Sequence, residues 1–199
     1  MAKLGTTLSD FMIIAITGGI GTGKSTAIAT VKQMGYPVIS ADDTYNELLK
    51  NPDFVRGVHR AVGIKNDSDT LDRVAVSSAV FNEPSKLKAL NEFTHAKIYE
   101  KMFEKSKNYP VSFHEVPLLF ESGYQDKYQK VIVIMRDLGL RIKSVENRSG
   151  LTSEEVLSRI KNQYDYENLD KNKHTVITND GSLQEFSSKV KAVVNEILG

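Results

Sequence analysis

Short apolar runs and longer stretches of helical periodicity alternate along the chain. Met12-Ile13-Ile14-Ala15-Ile16 is long enough for a buried strand. Behind it Ala27, Val31 and Met34 recur at helical spacing, and Gly35 is placed to stop that helix. Pro37-Val38-Ile39-Ser40 reads as a second strand, followed by a helix from Thr44 to Lys50 with Asp42 or Asp43 as its cap. Asn51-Pro52 opens a turn, Phe54, Val55 and Val58 mark a helix, and residues 63–69 form a polar loop. Leu71-Asp72-Arg73 then starts a further helix, with Val74, Ala75, Ala79 and Val80 apolar. Pro84 suits the first turn of a long helix to about Lys105, whose buried stripe is Leu87, Leu90, Ile98 and Met102.

The second half repeats the alternation. Val111 to Val116 is a third strand. Val131 to Met135 is a fourth, apolar throughout and therefore central and covered on both faces. A helix follows over about 138–147. Thr152 and Glu155 form a capping box for the next, with Leu151 and Val156 as a hydrophobic staple. His174 to Thr178 is a fifth strand. Ser182 and Glu185 cap the last helix, whose Leu183, Phe186, Val190, Val194 and Ile197 face the sheet. Strands alternating with helices predict an α/β fold: a five-stranded parallel sheet flanked by helices, with right-handed crossovers.

Between the first strand and the first helix lies Gly18-Gly19-Ile20-Gly21-Thr22-Gly23-Lys24-Ser25-Thr26. It fits the G-x-x-x-x-G-K-[ST] phosphate loop at Gly18, Gly23, Lys24 and Ser25, in the strand–loop–helix context that motif needs. A polyphosphate needs many donors close by. Backbone N–H groups from Gly19 to Thr26 supply them where glycines remove the side chains in the way. The helix beginning near Lys24 turns its positive end to the phosphates. Lys24 reaches the β- and γ-phosphates, and the Ser25 hydroxyl is a ligand for Mg²⁺. A nucleoside triphosphate with Mg²⁺ is the expected ligand of such a loop.

At 199 residues and 40% hydrophobic the chain suits one domain with room for a small inserted lobe. Lys and Arg number 26 against 25 Asp and Glu, which argues against a broad nucleic-acid-binding face. Cysteine is absent, which excludes disulfides and thiolate zinc sites and makes the reducing cytoplasm the expected compartment. No apolar segment reaches the roughly 20 residues that span a bilayer. Met1 to Asp10 reads as a short polar extension, and the apolar run behind it is too short for a signal-peptide core.

Other residues have two readings. Arg73 either pairs with Asp72 on the surface or grips a substrate phosphate. His95, beside an apolar stripe, is either a packed histidine or a substrate contact. Glu115, at the end of the third strand, either pairs at the rim or helps hold Mg²⁺. Arg148 sits on a Gly-containing hinge between two helices, where it either stabilises a helix end or is carried by a lid onto the transferring phosphoryl group. Arg159 has the same two readings.

Taken together the motifs resemble the dephospho-coenzyme A kinase family, over about residues 14–181. The segments that carry the likeness are the loop Thr17 to Thr26, Ser40-Ala41-Asp42, Leu71-Asp72-Arg73, Val116-Pro117-Leu118-Leu119-Phe120-Glu121, His95-Ala96, and Ile177-Thr178-Asn179-Asp180-Gly181. The family has Asp where this chain has Ser40. Its earlier lid arginine is Ser144 here, with Lys143 or Arg141 as candidate replacements. The resemblance implies phosphoryl transfer from ATP to the ribose 3′-hydroxyl of dephospho-coenzyme A. It implies Asp42 as the base, Lys24 and Arg148 on the γ-phosphoryl group, and Asn179 near the adenine. It also implies Asp42, Arg73, His95, Pro117 and Leu118 on the acceptor, in a helical lobe over about 51–110, with a lid over about 137–165. The residues alone leave open a kinase for a nucleoside monophosphate or another metabolite alcohol. A GTP-binding switch is disfavoured, because Asn172-Lys173-His174-Thr175 lacks the acid that guanine selection needs and precedes its strand.

Overall fold

The computed structural model describes residues 11–65 and 68–199, so the expected extension Met1 to Asp10 and part of the 63–69 loop lie outside the described residues. The chain divides into two compact units, one reaching to Val38 and resuming from Asn108 to Gly199, the other Ile39–Lys107.

The first unit is built on the sheet. Its strands are β1 (Met12–Thr17), β3 (Val111–Glu115), β4 (Lys130–Met135) and β5 (Thr175–Thr178). With β2 (Val38–Ser40), inside which the unit boundary falls, the order is β2-β3-β1-β4-β5. Pairing is parallel, with Ile16 opposite Glu115 on one side and Ile132 on the other, and Val133 opposite Val176. A strand covered on both faces needs apolar residues at successive positions. The β1 and β4 runs supply them: Ile14, Ala15, Ile16, Val133 and Ile134 are fully buried.

Helix α1 (Lys24–Gln33) packs against α9 (Leu183–Leu198), and Ala27, Val31, Phe186, Val190 and Val194 close the core with Ile14, Phe113 and Ile132. The expected capping box of α9 is present, Ser182 accepting from the Glu185 amide and Glu185 from the Ser182 amide. Leu183, expected to face the sheet, is 70% exposed. It is the first residue of α9, and the inward stripe begins one turn later, at Phe186. The remaining helices of this unit are α6 (Leu119–Ser122), α7 (Leu138–Ser149) and α8 (Ser153–Lys161). The capping box of Thr152 and Glu155 opens α8, and Val156 is fully buried behind it.

The second unit is helical: α2 (Ala41–Leu48), α3 (Pro52–Ala61), α4 (Arg73–Phe81) and α5 (Pro84–Ser106). Its core is Phe54, Val58, Val62 and Val76, with Leu90 and Phe93 packed on it. Phe93 of α5 lies on α3 at Gly57, where any side chain would collide with its ring, and it stacks on Phe54 at 5.6 Å. The unit starts before the expected lobe and takes in α2 as well. Of the expected stripe of α5, Met102 is fully buried, Leu90 packs on this core and Ile98 is half-buried, whereas Leu87 is 44% exposed; Thr94, Tyr99 and Ser106 are buried besides. Among the described residues, no helix is long and apolar enough to cross a membrane.

Candidate active site

The loop from Gly18 to Gly23 joins β1 to α1, and backbone accounting shows what it offers. Among the described helices, α2, α3, α4, α7, α8 and α9 each begin with a side chain accepting a first-turn amide. Helix α1 has no side-chain cap and no acid in its first turn. Its cap is Gly23, at φ 99°, a conformation that costs a side-chain-bearing residue dearly. First-turn amides of Lys24 and Ser25, with the positive end of the helix dipole behind them, are left for an anion.

The loop carbonyls, by contrast, are all engaged by protein donors. Lys24 Nζ donates to Gly18 O at 2.6 Å and Gly19 O at 2.9 Å, and Thr22 Oγ1 donates to Gly19 O at 2.9 Å. Arg141 Nε donates to Ile20 O at 3.0 Å, and Arg136 Nη1 approaches Gly21 O at 3.4 Å. Asn179 Nδ2 donates to Thr22 O at 2.9 Å. Five consecutive carbonyls held in this way turn the negative ends of the peptide dipoles toward protein donors, which suits the loop to a polyanion.

Arg141 is the residue that sequence reasoning placed only as one of two replacements for a lid arginine. It is 8% exposed, on α7, and its guanidinium lies on Gly19, where an added Cβ would stand 2.5 Å from Nη2. Gly19 is therefore a glycine for close approach, not for positive φ. Lys143, the other candidate, is exposed. The available signal was spacing: Arg141, Val145 and Arg148 fall on one face of α7, with Val145 buried between them. Gln163 and Tyr166 were missed. Gln163 Oε1 accepts from Ile20 N–H at 2.8 Å. The Tyr166 hydroxyl meets Thr17 Oγ1 at 3.4 Å, and burial, only partly offset by hydrogen bonds to Thr17 and the Gly18 backbone, pushes its pKa up to about 12. Both follow α8 in a polar stretch with no periodicity to announce them. Their segment is held by Tyr164, stacked on Phe120 at 4.6 Å, with its amide donating to Glu121 Oε1 at 2.8 Å.

Electrostatically the site is a cation cluster faced by a few carboxylates, of which Glu115 acts most strongly on Lys24 and Glu121 more weakly. Burial lowers the Lys24 pKa to about 8; Glu115 opposes that shift, while Arg141 and Arg148 add to it. Burial also lowers the Arg141 pKa, with Glu167 opposing. Glu115 ends β3 directly beside Ile16 of β1. Ser25 is exposed in the first turn of α1. One hydroxyl and one carboxylate are hard oxygen donors that suit Mg²⁺ shared with phosphates, an ion that seldom takes an all-protein cage. Among the described residues, no cluster of three or more His, Cys, Asp or Glu could hold a metal ion.

Asn179 touches the loop directly, and Glu115 and Arg148 lie near enough to Lys24 to act on its charge. Arg148 lies in the last turn of α7 rather than on the hinge, which falls at Gly150 with φ 67°. Arg159 is exposed on α8. Pro117 and Leu118 follow β3, and Leu118 is 47% exposed. Asp42, Arg73 and His95 belong to the helical unit. Neither Asp42 nor Asp43 caps α2, which begins earlier than expected: Ser40 is the cap, accepting from Asp43 N–H at 3.4 Å, and both acids lie in the first turn. The surface pair with Asp72, one of the two readings of Arg73, is not among the ion pairs of the described residues, and Asp72 caps α4 by accepting from Ala75 N–H at 2.9 Å. Arg73 is exposed and makes no ion pair among the described residues.

Comparison with known proteins gives consistent results. A family model described as dephospho-CoA kinase matches residues 12–185. A dephospho-CoA kinase of Chlorobaculum tepidum is 34% identical over 199 residues, covering 94% of this chain and 95% of the relative. Among solved structures, TT1252 from Thermus thermophilus superposes with a TM-score of 0.78 at 34% identity, covering 95% of this chain and 99% of that one. A dephospho-CoA kinase from Campylobacter jejuni superposes at 0.66 with 31% identity, covering 93% and 96%.

Proposed function

The chain belongs to the dephospho-CoA kinase family, and we propose that its phosphate loop, Arg141 and Asp42 share the work of that family's reaction. The reaction is the ATP-dependent last step of coenzyme A synthesis, a phosphotransfer to an alcohol. The γ-phosphoryl group leaves ADP and joins the ribose 3′-oxygen of dephospho-coenzyme A, and the hydroxyl proton passes to a carboxylate. Phosphoryl transfer asks the protein for alignment and charge neutralisation. Amides of Gly19 to Thr26 and the Lys24 ammonium hold the triphosphate. Ser25 and Glu115 would hold Mg²⁺, which neutralises phosphate charge when bound. Asp42, whose carboxylate is not used as a cap, orients the 3′-hydroxyl and accepts its proton. Arg73, His95, Pro117 and Leu118 are the acceptor contacts, and α7 with α8 forms the lid that keeps water out.

The observation that carries this reading is the loop itself: uncapped amides on one side, every carbonyl from Gly18 to Thr22 occupied on the other. Arg141 is assigned the role of the phosphate clamp because its guanidinium already lies on Gly19. Arg148, exposed at the end of the same helix face, approaches with the lid. Substituting a neutral amide at a phosphate-directed cation removes charge stabilisation of about 10²- to 10³-fold. Arg141→Gln is therefore expected to lower kcat/KM by that amount and Lys143→Gln by less than about threefold. Equal losses in the two variants would remove Arg141 from the role. The acceptor is tested by turnover with ATP on dephospho-coenzyme A against a panel of nucleoside monophosphates. A preference for any nucleoside monophosphate overturns the assignment of the acceptor contacts.

A further inference from the structure

We infer that His59, on α3, is a positioning residue for the acceptor, because it completes the amino-terminal cap of α4 and so fixes the placement of Arg73. The inference rests on the reading of Arg73 as an acceptor contact. A helix start leaves amides that need partners. In α8 and α9 a capping box satisfies two of them reciprocally: the cap side chain accepts the third residue's amide, and a glutamate there accepts the cap's own amide. Helix α4 has only half of this arrangement. Asp72 accepts from the Ala75 amide, but alanine has nothing to offer in return.

The missing acceptor comes from a different helix. Asp72 N–H donates to His59 Nε2 at 3.2 Å. His59 is fully buried in the last turn of α3, a helix whose Phe54, Val55 and Val58 are buried as well. The bond requires an unprotonated Nε2, so the ring proton is on Nδ1. That nitrogen is buried and has no hydrogen-bond partner. A buried donor left unpaired opposes folding, and an aliphatic side chain at this buried position would avoid the cost. What an aliphatic residue lacks is the acceptor for Asp72.

The consequence falls on Arg73, the first residue of α4. On its amino side Leu71 packs into the apolar core of this unit, and the Asp72 amide is pinned to α3. Arg73 is thus the first outward-facing side chain after two anchored positions. Removing the acceptor at residue 59 frees the Asp72 amide, frays the first turn and spreads the positions that the guanidinium samples. Small misplacements of a binding group are costly in proportion to how well it was aligned.

Two variants of the full chain test this. His59→Leu cannot accept the bond, whereas the amide oxygen of His59→Gln can. His59→Leu is expected to raise KM for dephospho-coenzyme A about tenfold, leaving KM for ATP unchanged and the melting temperature equal or higher. His59→Gln is expected to hold the acceptor KM within about threefold of the parent. An unchanged acceptor KM in His59→Leu overturns the inference. So does a lowered melting temperature with both KM values raised alike, which is the mark of a purely structural histidine. Arg73→Ala separates this inference from the reading beneath it. If Arg73→Ala leaves the acceptor KM alone while His59→Leu raises it, the Arg73 contact is wrong. If the reverse holds, the role of His59 is wrong. Should His59→Leu fail to fold, the parent protein decides by NMR: a through-hydrogen-bond coupling between the Asp72 amide nitrogen and His59 Nε2 is expected, and its absence overturns the proposal.

Discussion

Lys24→Ala is expected to lower kcat/KM for ATP by about 10³-fold, the scale lost when a preorganised charge facing a transferring group is removed. The side chain lies along the loop, tied to the Gly18 and Gly19 carbonyls, with its ammonium in a poorly solvated place. There a charge acts more strongly on phosphate than it would in water. The same burial makes that charge unfavourable to the fold. Its pKa in the folded chain is about 8, below the ordinary 10.5. Below about pH 8 both folded and unfolded chains carry the proton, and the desolvation cost is present in full. Between about 8 and 10.5 the unfolded chain holds the proton more tightly, so the stability of the parent rises with pH relative to Lys24→Ala. The melting temperature of the variant near pH 7 is therefore expected to match or exceed that of the parent while activity collapses. In the parent, kcat/KM for ATP, which reports the free enzyme, is expected to fall above about pH 8 as Lys24 loses its proton. A flat profile from pH 7 to 10, or a variant that binds ATP as tightly as the parent, would remove Lys24 from the role.

The sheet was legible because its information is local. The β1 and β4 runs are apolar at successive positions, and a parallel strand buried on both faces has no other way to be written. The phosphate loop was legible for the same reason: strand, glycines, lysine and helix follow one another without interruption. Three kinds of feature escaped. Arg141 reaches the Ile20 carbonyl across 121 positions of sequence and Gln163 reaches the Ile20 amide across 143, so only folding brings them together. The cap of α2 was misplaced because Ser40, Asp42 and Asp43 are all good cap residues, and which one serves depends on where the strand lets go of the chain. Leu87 and Leu183 satisfied the helical period yet face outward, because each lies in the first turn of its helix, ahead of the packed turns. Periodicity locates a helix well and its ends poorly.

The misplaced cap has a direct bearing on the base. With Ser40 accepting the Asp43 amide, α2 starts without drawing on either carboxylate. Asp42 makes no hydrogen bond or ion pair among the described residues and is exposed in the first turn. A general base needs such an uncommitted carboxylate, and a positioned one contributes about 10²- to 10⁴-fold. Asp42→Asn is therefore expected to lower kcat on dephospho-coenzyme A by at least about 10²-fold while ATP binding, measured by titration, stays as it was. Asp43→Asn is the control, because it lies in the same turn and makes the same charge change. Both variants give up the favourable placement of an acid at a helix start, about 0.3–1 kcal/mol each, so their melting temperatures should fall together and slightly. The difference in kcat between the two then belongs to chemistry alone. If Asp43→Asn carries the loss, the base is the neighbouring acid. If neither does, the proton leaves by a route that does not pass through α2, and the first turn of that helix serves only to bind.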